Sequence, residues 1–65
     1  MLSYNEIRSV CKSKDEALRV LRELRTELQA LVSLANLAGE QEQAHELSKS
    51  LCRAMELEFR VKRSW

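Results

Sequence analysis

Ala17, Leu21, Leu24, Leu28, Leu31, Ala35 and Ala38 recur at spacings of 4, 3, 4, 3, 4 and 3. That rhythm places all seven on one stripe of an α-helix and forms an a/d heptad seam three repeats long. The intervening positions are largely straight-chain helix formers, which agree with the period. A seam of this kind must be buried against another helix, so the chain is expected to be all-α. Composition points the same way. One Gly and no Pro in 65 residues leave too few turn formers for a β-rich fold, and 45% hydrophobic with 32% charged residues is unlike a disordered chain.

Gly39 stands where a left-handed residue would close the seam helix. Continuing the seam beyond it would place Glu42, His45 and Lys49 in a core. The apolar positions downstream are instead Ala44, Leu47, Leu51, Ala54 and Val61. The phase slips across Gly39, and the chain is predicted to turn there. A third helix is predicted over about 40–63 and the second over about 14–38.

A short first helix is predicted over about 4–11. Ser3 and Glu6 have capping-box spacing, Leu2 and Ile7 can form a hydrophobic staple, and Ile7, Val10 and Cys11 are its expected buried residues. Ser13 and Glu16 repeat the box after the polar stretch 12–16, and acidic residues there suit the positive end of a new helix. A break or kink at this stretch is preferred to one continuous helix. Residues 1–65 thus form a single helical-hairpin domain, each long helix about 36 Å at 1.5 Å per residue.

The hairpin has more apolar surface than one seam buries. Ala30, Leu34 and Leu37 form a second strip on the second helix. Leu57, Met55 and Phe59 broaden the third helix's apolar face beyond half its circumference, where a surface helix needs a stripe a little over 100° wide. A chain this small buries only about 60% of its unfolded surface, and such scaffolds commonly lean on a disulfide, a metal or a partner. Cys11 and Cys52 are expected to be reduced, packed thiols of a cytoplasmic protein, since nothing resembles a secretory leader or a membrane span. Self-association into a four-helix bundle is therefore the expected source of stability.

Charge is distributed in blocks. Residues 1–25 carry six Lys/Arg and four Asp/Glu; residues 26–48 carry four Glu and no Lys or Arg; residues 49–65 carry five Lys/Arg and two Glu. Folding at Gly39 gathers the two basic blocks at the open end, near +5, and leaves −4 at the turn. Two such rods of opposite polarity would match unlike ends, and two of the same polarity would make one strongly basic end.

Few residues suggest chemistry. His45 and Cys52 lie seven apart, about 10 Å along a helix, too far to share a metal ion, and no CxxC or HxxxH spacing exists. There is no phosphate-cradling Gly-rich loop, and His45 sits in a polar stretch rather than beside a nucleophile. No enzyme activity, cofactor, metal or small-molecule substrate is expected. Glu58 is the most informative charge: its helical angle puts it within the third helix's apolar face, where a carboxylate reaching solvent past the seam is the preferred reading and a pair with Arg22 or Arg25 of the second helix is the alternative. A pair of that kind can set register.

The expected function is a protein–protein interaction module, an adaptor, assembly chaperone or inhibitor, with Leu34, Leu37, Leu57, Phe59 and Trp65 as contact residues. The competing class binds nucleic acid, or an acidic partner, through Arg19, Arg22, Arg25, Arg60, Lys62 and Arg63 at the open end. The layout and the stretch Leu34-Ala35-Asn36-Leu37 with the following Glu-Gln resemble the plasmid RNA-binding Rop family. That resemblance implies a dimeric four-helix bundle, although the family's aromatic and amide RNA face has no clear counterpart in the second helix. Leu47-Ser48-Lys49-Ser50-Leu51-Cys52 is similar to the LSQELD motif of small sporulation phosphatases in its two Leu and first Ser; Lys49 replaces the Gln and Cys52 the acid. The hairpin chaperones of secretion-needle subunits share the size and layout without a quotable motif.

Overall fold

The computed structural model describes residues 3–65 as three helices: α1 Tyr4–Val10, α2 Lys14–Leu37 and α3 Gln41–Ser64. Each of the first two begins on a serine. Ser3 Oγ accepts from the Glu6 amide at 3.3 Å and Ser13 Oγ from the Glu16 amide at 3.1 Å. Each bond satisfies a backbone donor that a helix start otherwise leaves free. The return half of the box differs in both places. The Ser3 hydroxyl itself donates to Glu6 Oε1, and Glu16 Oε2 accepts from the Lys12 amide, one residue before the cap. Leu2, the expected staple partner of Ile7, lies outside the described residues.

The α2–α3 turn is a Schellman motif. Gly39 takes φ +75°, its amide donates to the Asn36 carbonyl, and the Glu40 amide donates to the Ala35 carbonyl at 2.9 Å. Nothing lies within 4 Å of where a Cβ on Gly39 would sit, so only the backbone conformation selects glycine. Gly39→Ala should destabilise by about 1–2 kcal/mol through that conformation alone. A lowered urea midpoint with unchanged helix content by circular dichroism would show it.

Behind the turn the helices meet through small residues, Ala35 and Ala44, both buried. The larger core lies at the open end, where Ile7 of α1 and its C-cap Cys11 pack with Ala17 and Leu21 of α2 and Leu57 and Val61 of α3. Tyr4, Leu18 and Trp65 close its edge. α1 is strapped down by residues far away in sequence: Tyr4 Oη donates to the Ser64 carbonyl at 3.1 Å, the Tyr4 and Trp65 rings meet edge to face, and the Arg60 guanidinium lies 4.3 Å from the Tyr4 ring centre.

Several expectations about burial are corrected here. Leu57 belongs to the core, not to a free face, because α1 docks over it. Val10, expected inside, is 75% exposed; the seven-residue α1 commits Ile7 and Cys11 to the core and turns Val10 away. Leu31 and Ala38 of the heptad seam are exposed, because α3 opposes the turn end of α2 with Ala44, which covers little. Cys52 is an exposed thiol, while Cys11 is buried. No helix among the described residues is long and apolar enough to cross a membrane.

Candidate interaction surface

Three features of the surface remain once the hairpin is assembled: an uncovered apolar strip on α2, an apolar patch on α3, and a cation-rich open end. The strip follows from the spacing of Val20, Leu24, Leu31 and Leu34. At 100° per residue these lie within a sector about 80° wide, rotated off the core stripe toward one flank. Leu31 and Leu34 are exposed, Leu24 and the neighbouring Leu28 half-buried. Leu24 and Leu28 floor a groove of about 380 Å³ between α2 and α3, with Ala54 and Leu57 opposite and Glu46, Lys49 and Arg53 on its α3 side. Leu57 serves both regions, packing under α1 and lining this groove. The groove is therefore the continuation, toward the turn, of the face that α1 covers at the open end.

On α3, Met55 and Phe59 are exposed, and the guanidinium of Arg63 lies over the Phe59 ring at 5.6 Å. Leu37, beside the turn, is the most exposed large apolar residue among the described ones, at 85%. Trp65, expected as an interface anchor, is half-buried against the core, and the Arg8 guanidinium stacks 4.8 Å from its ring centre.

The basic residues divide into two sets. Arg22, Arg25 and Lys62 converge on Glu58, whose side chain is 5% exposed: Arg25 Nη1 comes within 3.0 Å of Oε2, Arg22 Nε within 3.5 Å of Oε1, and Lys62 Nζ within 3.8 Å of Oε1. The Arg25 approach is close but off-axis. It is an ion contact without a hydrogen bond, and Oε2 has no hydrogen-bond partner among the described residues. These cations are held by an internal carboxylate on the flank of the hairpin opposite the groove. Arg8, Arg60 and Arg63 instead lie over aromatic rings, and none of the three pairs with a carboxylate among the described residues. Glu56, four residues before Arg60, pairs instead with Arg53 at 3.5 Å, and Arg60 turns to Tyr4. Arg19 is exposed.

Among the described residues no three His, Cys, Asp or Glu side chains stand together as a metal-holding group. His45 and Cys52, with Lys49 and Arg53, line an open depression along one face of α3. The aromatic strap was not foreseeable from local pattern; the only sequence signal was an aromatic residue near each end of a chain with three in all. Compared with known proteins, the chain matches no family model, no curated protein and no solved structure.

Proposed function

We propose that this chain is a non-enzymatic protein–protein interaction module that works by burying apolar helix faces, first against a second copy of itself in a four-helix bundle. Adaptor, assembly chaperone or inhibitor are the roles such a module fills. One observation carries the reading. Among the described residues the buried large aliphatic side chains are four, Ile7, Leu21, Leu57 and Val61, while seven large apolar residues are exposed, and Leu31 and Leu34 continue along α2 from the groove floor at Leu24 and Leu28. A hairpin this short of core gains stability by covering that surface, at roughly 25 cal/mol for each Å² removed from water.

Leu34→Glu is the direct test. Leu34 is 61% exposed and outside the core, so the substitution should leave helix content intact. It should weaken association by about tenfold or more, because a charge would enter an apolar contact. An unchanged mass in solution across concentration would contradict the proposal.

A second reading, binding of nucleic acid at the open end, draws on Arg8, Arg60 and Arg63. Stacking orders these guanidiniums while their edges remain free of carboxylates. Arg22, Arg25 and Lys62 are less suited to phosphate, since Glu58 already neutralises them in part. This reading requires affinity that falls steeply with salt, by about 0.7–0.9 in log K per log salt for each phosphate contacted. Binding that persists at higher salt and depends on Leu34 and Leu37 favours the protein-contact reading.

A further inference from the structure

We infer that a second copy of this chain lies antiparallel across the groove face, each copy's α1 end covering the turn-side half-groove of the other. This rests on the protein-contact reading and assigns its face, its partner and its polarity. Three independent features support it.

The first is coverage. Leu57 both packs with Ile7 of α1 and lines the groove, so α1 covers this face at the open end and leaves it uncovered toward the turn. Two copies of the same polarity would set α1 against α1 and leave the uncovered halves apart. With opposite polarity, each α1 end covers the other's uncovered half, including Leu31 and Leu34 of the apolar strip and the groove floor at Leu24 and Leu28. Val10 of α1, 75% exposed, is the apolar residue that α1 can bring to that contact.

The second is charge. Residues 26–48, which build the turn end, contain four Glu and neither Lys nor Arg. The open end carries Lys12, Lys14, Arg60, Lys62 and Arg63, and Arg8, Arg60 and Arg63 there have no carboxylate partner among the described residues. Antiparallel copies place each acidic turn against a basic end, whereas parallel copies oppose like charges at both ends.

The third is area. Single-chain proteins of 7.6 kDa expose about 4,300 Å² by size scaling. This chain exposes 4874 Å². Part of the surplus of roughly 600 Å² comes from the 39 Å rod shape, and the long flank of that rod offers room for the ~800 Å² that one partner buries in a standard interface.

Zero-length carbodiimide coupling of the unmodified protein, followed by peptide mass spectrometry, tests the arrangement. The rod is 39 Å long, so an amide joining Glu40 or Glu42 at the turn to Lys12, Lys14 or Lys62 at the open end can form only between two copies. Covalent dimers containing those turn-to-open links are the expected result. Val10→Glu, at an exposed site, should leave the single chain folded and weaken association about tenfold or more, since it counts twice in a symmetric pair. Dimers joined only between like ends, or a dimer indifferent to Val10→Glu, would overturn the antiparallel face while leaving the protein-contact reading intact. A single-chain mass at every concentration would overturn both.

Discussion

Leu21→Ala is expected to cost about 2–5 kcal/mol, the range for removing a fully enclosed leucine. Leu21 has no exposed surface and contributes to the one region where all three helices meet, with Ile7 and Cys11 from α1 and Leu57 and Val61 from α3. A chain of 65 residues has about 3–10 kcal/mol of total stability at its disposal, so the loss takes most or all of it. Much of the remaining core is alanine (Ala17, Ala35, Ala44 and Ala54), which cannot shift to fill a cavity. The variant should show strongly reduced helicity at 25 °C, or a urea midpoint near zero, at a protein concentration where the parent is folded. Leu37→Ala, at an 85% exposed site, should change the unfolding free energy by no more than about 0.5 kcal/mol. Equal effects for the two would contradict the placement of the core at the open end.

Arg25→Ala and Glu58→Leu should act in opposite senses although they break the same ion pair. Glu58 is enclosed, and Arg25 is the cation nearest its unbonded Oε2. Removing Arg25 leaves a buried carboxylate with only the longer contacts from Arg22 and Lys62, and about 1–3 kcal/mol should be lost. Arg22 should matter less, because its side chain is 59% exposed and solvent screens the contact. Glu58→Leu removes the buried charge while the arginines keep access to water, so it should be neutral or stabilising. Chemical denaturation of the three variants in one buffer would settle the order. A Glu58→Leu protein as damaged as Arg25→Ala would mean that the ion cluster is a net source of stability. If Glu58→Leu is as stable as the parent, the cluster's contribution is specificity: a carboxylate beside Arg22 and Arg25 penalises a slip of α3 along α2.

Local chemistry was legible in this sequence wherever a single residue decides a backbone group. Ser3 and Ser13 are followed by helices because a hydroxyl at that position can take an otherwise orphaned amide. Gly39 marks a turn because the phase of the apolar pattern slips across it. Helical angle puts Glu58 within the apolar face of α3, with Arg22 and Arg25 on the facing flank, but it favours a carboxylate reaching solvent past the seam; the structure instead encloses Glu58 beside the two arginines. What the pattern could not supply was the side of the hairpin on which α1 would lie. Periodicity gives the phase of a helix, not the identity of what covers it, so Leu57 read as surplus while Val10 and Leu31 read as core. The strap made by Tyr4, Arg60 and Trp65 escaped for a related reason: its members are brought together by the fold across almost the whole chain, with no spacing rule linking them. The same strap determines which face remains open, and hence the candidate contact surface.

On the proposed reading, another copy of the chain covers the exposed strip on α2 in solution. Multi-angle light scattering of the parent protein, across concentration and at low and moderate salt, tests it most directly. A mass of two chains that falls toward one on dilution is expected, with only a modest further shift on added salt, because screening weakens the match of acidic turn to basic end while the apolar contact persists. A well-folded species of 7.6 kDa at every concentration and salt would contradict it.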